Sequence, residues 1–419
     1  MKNNIDMKRY NPLILAAGIG AFLGSGIIVG LSVTITVWQK GMGFTDGQVG
    51  ILSGALTFAI AAGSLLAGNI TKKFGLMKPF DYINVIYVIG ALLCVIAGNF
   101  SVLFAGLILI GFASGADLPI SLTVLSHDAP DERTSARLIA IVQVFWQIGA
   151  FFCTIMGFVV SRIEGTLGGR IVLGILGVIA AAGLICRIFS GKVKALHLEG
   201  ESYRKAEGTE KAKEISFTKL FTGAEKNKYL AFFFSVTIYY CCWNLLSNTF
   251  GQFQTYILVK ANATQFFATG IGIVLTIVGL CGGMLYTRIA GDNKRNKFFY
   301  IGILVQAAAM LGISLGGGSI LPMIFMIACY SMATPFAGET LYKVWTQESF
   351  PMEARASVQG FINGFSRFCC GVFALITPML VTADRIQGTM IGFAGIVLIS
   401  AAAGAITIRL QKKYGIGQM

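Results

Sequence analysis

The sequence predicts an all-α membrane protein of twelve transmembrane helices in two pseudo-symmetric six-helix bundles. Three observations carry that expectation: a shortage of charge, twelve apolar runs of spanning length, and one charged segment at mid-chain. Of the 419 residues, 55% are hydrophobic and only 12% are charged. A soluble domain carries about 25% charged residues. This chain cannot cover a water-facing surface of its size, so lipid must cover part of it. The 52 glycines suit helices whose backbones approach closely, which is how association works where lipid supplies no hydrophobic drive.

A membrane-crossing helix needs about 20 mostly apolar residues. Such runs fall at 13–37, 47–67, 82–98, 101–124, 138–161, 167–186, 229–250, 265–287, 298–315, 320–345, 356–383 and 387–408. Two uncharged stretches each hold two helices: one divides at Asn99-Phe100-Ser101, the other at Gly316-Gly317-Gly318-Ser319, turn-forming sequences. No secretory cleavage pattern follows the first run, so it reads as a retained helix. With the N-terminus inside, Lys2, Lys8, Arg9, Lys72, Lys73, Lys78, Arg288, Lys294, Arg295, Lys297 and Lys412 all lie inside. Lys40, Arg162, Arg170, Lys260 and Arg385 lie outside. The asymmetry puts both termini in the cytoplasm, as for a multi-pass protein of the plasma (inner) membrane. The net charge of +14 is then an excess of cytoplasmic loop cations, and no nucleic-acid partner is expected. The nine cysteines sit in apolar stretches and have no metal-ligand spacing with His127 or His197. They read as buried thiols acting as small apolar residues, and neither metal nor cofactor is expected.

Residues 187–228 are polar and hold ten Lys or Arg, Arg187 among them. The expected organisation is an N-terminal bundle over 1–190, a cytoplasmic linker over 191–226, and a C-terminal bundle over 227–419. Within the linker region, residues 215–222 have the pattern of a short amphipathic surface piece. The halves look related. Gly115-Ala116-Asp117 is followed by Pro130 and Arg133, and Gly338-Glu339 by Pro351 and Arg355 at similar distance. Two six-helix repeats about one linker is the plan of a carrier whose solute site lies at the repeat interface near mid-membrane.

Four charged residues fall inside the predicted spans, setting Arg170 aside at a helix end: Asp117, Glu339, Lys343 and Arg367. Each costs roughly 2.5–3.5 kcal/mol at the centre of a membrane helix, so each must face protein or water. A proton or solute site is one reading, a structural ion pair the other. Amides recur at steps of four: Gln143 and Gln147 beside Trp146, then Asn244, Asn248 and Gln252 after Tyr240, then Gln359 and Asn363 before Arg367. That step puts each set on one helix face. Helix-to-helix hydrogen bonds explain one or two such stripes; four, counting Glu339 with Lys343, point to a shared polar cavity. Gln143, Trp146, Gln147, Asn244, Asn248, Gln252, Asn363 and Arg367 are the expected solute contacts. Pro119 and Pro335 break backbone bonds in their spans and mark bending points or mere packing kinks.

The stretch Gly115-Ala-Asp117-Leu-Pro119-Ile-Ser121-Leu-Thr123 resembles the G-x-D-x-P-x-S-x-T signature of metabolite:proton symporters in the major facilitator superfamily. Glu348-Ser-Phe350-Pro351-Met-Glu-Ala-Arg355 resembles the E-x-[FY]-P-x-x-x-R signature of its sugar porters. Gln143 ahead of Gly149 resembles the fifth-helix glutamine that contacts sugar. The resemblance spans the chain. It implies the major facilitator fold, and a cytoplasmic gate of ion pairs involving Arg133, Glu348 and Arg355. There are departures. Lys72 stands where the family usually has Asp, the first span has no carboxylate to carry a proton, and the fifth lacks the Gly-Pro motif of drug antiporters.

The expectation is therefore a monomeric secondary transporter that imports a sugar, polyol or related metabolite, with protons carried on Asp117 or Glu339. The alternative is an anionic metabolite or phosphate held by Arg367. An intramembrane enzyme is disfavoured, because H-E-x-x-H and G-x-S-x-G with a membrane histidine are both missing. A transporter-like sensor would need a signalling domain that the 42-residue polar segment 187–228 is too short to form.

Overall fold

The computed structural model describes residues 7–206, 220–222, 225–287, 295–316, 319–382 and 384–416. Among them, twelve helices are long and apolar enough to cross a membrane. The chain divides into two compact units, Met1–Glu210 and Lys211–Met419.

The first unit contains α1 (Asn11–Met42), α2 (Asp46–Phe74), α3 (Met77–Ile96), α4 (Phe100–Asp128), α5 (Glu132–Val159), α6 (Leu167–Phe189) and α7 (Gly191–Ala206). Local chemistry sets several boundaries. Gly43, at φ 69°, ends α1 in the left-handed conformation that glycine adopts at no steric cost. Thr45 and Gln48 form a reciprocal capping box at the start of α2, which satisfies two amides the first turn leaves free. Asn99 and Asp131 cap α4 and α5 through their side-chain oxygens.

Glycines let these helices touch backbone to backbone. A Cβ on Gly63 would strike the carbonyl of Phe112, and one on Gly115 the carbonyl of Ile60, so α2 and α4 meet with no side chain between them. Pro119 lies inside α4 without ending it. It cannot donate to the Gly115 carbonyl four residues back. Ser64 Oγ on α2 donates to that carbonyl at 2.8 Å instead. The kink expected from sequence is thus a place where a neighbouring hydroxyl replaces a lost backbone bond, a known remedy in membrane helices.

α7 departs from the expected linker. Its Val193 and Leu196 are buried, and Gly200 packs directly on Asp128 at the end of α4. Arg9 forms an ion pair with Glu199. Residues 191–206, assigned to the linker from sequence, therefore form a helix that packs on the first unit. Of the surface piece expected at 215–222, residues 215–219 lie outside the described residues.

The second unit contains α8 (Lys226–Lys260), α9 (Gln265–Thr287), α10 (Arg295–Leu315), α11 (Ile320–Ala333), α12 (Glu339–Ser349), α13 (Met352–Leu380) and α14 (Ile386–Lys413). The tenth span is discontinuous: a 3-10 turn, Thr334–Ala337, separates α11 from α12. Pro335 lies in that turn. Gly338 follows, where a Cβ would strike the Thr334 carbonyl and crowd the Trp243 ring. The nine cysteines are free thiols, but Cys281 is exposed and five others only partly buried, so burial alone does not account for them.

Replacing Gly115 with Val is expected to destabilise the detergent-purified protein by about 1–3 kcal/mol, the usual cost of overpacking. Gly392→Val, where no atom lies within 4 Å of the added Cβ, should leave the thermal midpoint nearly unchanged.

Candidate functional site

Asp117 is 1% exposed and Arg187 is fully buried. Arg187 Nη1 donates to Asp117 Oδ1 at 2.7 Å and Nη2 to Oδ2 at 3.0 Å, a two-pronged pair. The remaining donors are also used. Nε and Nη2 reach the Ala16 carbonyl at 3.0 and 2.8 Å, and Nη1 reaches the Phe80 carbonyl at 2.8 Å. The guanidinium lies 4.2 Å from the centroid of the Phe80 ring. Ser121 Oγ donates to Asp117 Oδ1 at 3.0 Å. One arginine so ties α1, α3, α4 and α6 together. A Cβ on Gly20 would collide with the Asp117 carboxylate, so the knot also requires a glycine on α1.

Arg187 escaped the sequence reading. The sixth apolar run stops at 186 and Arg187 heads a charged segment, so it counted as a linker cation. In the structure α6 runs to Phe189 and the side chain turns back into the bundle. The only sequence signal was an unmatched acid, Asp117, on a neighbouring span.

On α5, Gln143 and Gln147 are exposed along one face, and Trp146 is half-buried. Trp146 packs over Gly24 of α1, and its carbonyl accepts from Ser25 Oγ at 2.5 Å. The indole is therefore anchored while both amides remain accessible.

In the second unit a polar face gathers on α8, α12 and α13. Tyr240 stacks on Tyr342 with centroids 3.9 Å apart. Asn244 Nδ2 donates to Ser366 Oγ at 2.6 Å, one residue from Arg367. Glu339 is in the first turn of α12, where the helix dipole favours a carboxylate. It pairs with Lys343 at 2.9 Å, with both side chains nearly half exposed. Asn363 is exposed and Arg367 half-buried. Asn248 and Gln252 bond to each other along α8 at 3.4 Å. Trp243 is buried against Gly338. Trp345 is fully buried between Tyr239 and Phe299, which makes it core rather than a surface for a solute ring.

Of the expected gate residues, the Arg133 side chain lies outside the described residues. Glu348 accepts both prongs of Arg295, at 2.7 and 2.6 Å, and Gln411 Nε2 at 3.0 Å. It thereby joins α12 to α10 and α14. Arg355 Nε donates to the Phe350 carbonyl at 2.9 Å, a local bond across the turn between α12 and α13.

The Major Facilitator Superfamily matches over residues 14–375. The chain is 28% identical to the minor myo-inositol transporter IolF of Bacillus subtilis (strain 168), over 93% of this chain and 88% of that protein. It is 23% identical to the glucose transporter GlcP of Staphylococcus epidermidis (strain ATCC 12228 / FDA PCI 1200), over 94% and 92% respectively. Among solved structures it is similar to a D-xylose-proton symporter, with a TM-score of 0.74 at 14% identity, over 94% of this chain and 96% of that one.

Arg187→Met should cost about 3–5 kcal/mol, the penalty for leaving a buried partner charge unmatched. Adding Asp117→Asn should recover part of the loss in thermal unfolding, because the uncompensated carboxylate is then gone. Equal stability of the single variant and the wild type would mean the pair is not closed in the folded protein.

Proposed function

The chain belongs to the major facilitator superfamily, and from that premise we propose that it imports a sugar, polyol or related metabolite together with protons, by alternating access. It is a multi-pass membrane transporter of the sugar and metabolite type, and not an enzyme. We place it in the plasma (inner) membrane with both termini cytoplasmic, on the Lys and Arg asymmetry of its loops.

The observation that carries the solute class is the polar face of the second unit. Asn363 is exposed and Asn244 half-buried, and both supply neutral donors and acceptors. Hydroxyls and apolar ring faces are what a sugar or polyol presents. Gln143 and Gln147, exposed on α5, offer the same chemistry. Relatives named for myo-inositol and glucose agree with it.

Asp117 and Glu339 are the two candidates for the proton, and their surroundings support Glu339. Protonating Asp117 would strand a fully buried guanidinium, a penalty of several kcal/mol. Protonating Glu339 would release only Lys343, which reaches solvent. Glu339 is therefore the proposed proton carrier, and Asp117 a structural anion. Glu348, held by Arg295 and Gln411, is proposed to steady the cytoplasmic end of α12 as part of a gate with Arg133 and Arg355.

One observation favours a second reading. Asp117 is taken by Arg187 and Glu339 by Lys343, so the half-buried Arg367 guanidinium is left to an anionic solute. A sugar acid, organic acid or phosphate would suit it.

Thermal stabilisation of the purified protein by a panel of sugars, polyols, sugar acids and phosphate, at two pH values, separates the readings. Binding stabilises by RT ln(1 + [L]/Kd), so even millimolar ligands register at high concentration. The first reading predicts shifts with a neutral sugar or polyol that weaken about 2- to 10-fold in apparent affinity in Asn244→Ala or Asn363→Ala, the worth of one hydrogen bond. Shifts confined to anions and lost in Arg367→Gln would establish the second. No shift with any member would contradict both.

A further inference from the structure

The chain has two histidines, seventy positions apart, and both rest on one carboxylate. His127 Nδ1 lies 2.7 Å from Asp128 Oδ1, and His197 Nδ1 lies 2.8 Å from the same oxygen. The rings are 5.1 Å apart. His127 and Asp128 end α4, and His197 is on α7, which docks there through Gly200. The carboxylate side chain of Asp128 is fully buried, and its second oxygen, Oδ2, has no hydrogen-bond partner among the described residues. A buried acceptor left unmatched is normally destabilising. The imidazoles remain partly open, at 29% and 14% side-chain exposure, so a small ion has a way in.

We propose that His127, His197 and Asp128 form a binding site for a divalent transition metal of the zinc class, which fastens α7 to the end of α4. Two imidazole nitrogens with one carboxylate oxygen are the donors that such borderline ions take, whereas calcium and magnesium prefer oxygen alone. The candidate ligand atoms all lie within 4.8 Å of one another. Ligands at about 2.0–2.2 Å from a tetrahedral ion sit roughly 3.4 Å apart, so small rotations of exposed rings complete the set. The metal would displace the two shared protons, give Asp128 a full counter-charge and use its unspent oxygen. Three protein ligands leave a fourth position for water, and Glu201, one turn along α7 and 3.8 Å from His197 Nε2, is placed to orient the ring from its other nitrogen. Sequence spacing could not reveal this, because the ligands come from two helices separated by two membrane crossings.

The test uses the full chain, stripped with chelator in detergent and titrated with zinc alone in competition with a chromophoric indicator. One ion per chain is expected, with affinity reduced at least about 100-fold in His127→Ala and in His197→Ala, beyond the loss typical of outer-shell changes. Cobalt bound to the unaltered protein supplies a readout independent of how the variants fold. A tetrahedral nitrogen and oxygen spectrum supports the site. A thiolate charge-transfer band would assign the ion to cysteines and overturn it. So would zinc binding that is unchanged in both variants, or no stoichiometric binding in the unaltered protein.

Discussion

A cation buried inside a helical bundle must find every one of its partners in the protein, because lipid offers none. Arg187 meets that demand with one carboxylate, two backbone carbonyls and an aromatic face. Much of the first unit follows from it. Gly20 must lack a side chain for the carboxylate to fit. Two residues before Asp117, the Gly115 carbonyl that Pro119 cannot reach is met by Ser64 on α2. The charge pair is costly to assemble, and breaking half of it costs more than omitting the whole. It functions as a fixed point: four helices that share one guanidinium cannot slide separately.

That fixed point determines where mobile charge can be. A proton carrier has to exchange with water and survive both charge states. On the proposed reading the buried arginine opposite Asp117 argues against a second charge state there, whereas Glu339 has partial exposure, a solvated partner in Lys343 and a helix N-terminus beneath it. It also sits just after the break between α11 and α12, where the backbone has already left the regular ladder. Discontinuous helices with their ends at the transported species are a recurring device in carriers. The two charged sites are similar in sequence, an acid after a Gly on the fourth span of each half. They differ in physical character because one has a buried arginine opposite and the other does not.

The helical architecture was legible because it rests on quantities that sequence carries directly: run length, charge scarcity and the Lys and Arg bias. The amide stripes were legible because a step of four survives folding unchanged, as with Tyr240 and Asn244. What escaped depended on contacts between distant segments. Arg187 looked like a loop cation because hydropathy cannot register a long side chain turning back into the bundle. The enclosure of Trp345 by Tyr239 and Phe299 has no sequence signal either. α7 looked like linker because its buried apolar side chains, Val193 and Leu196, are too few to mark an apolar run. The histidine pair had no local pattern at all.

The central claim is the proposed division of labour between a structural Asp117 and a proton-carrying Glu339. Reconstituted vesicles loaded with unlabelled solute test it in two modes: accumulation driven by an imposed proton gradient, and exchange of labelled for unlabelled solute. In Glu339→Gln, accumulation should disappear while exchange persists near the unaltered rate, since a permanently neutral side chain can no longer load and unload a proton. Accumulation at the unaltered level in that variant would contradict the account and return the proton to another group.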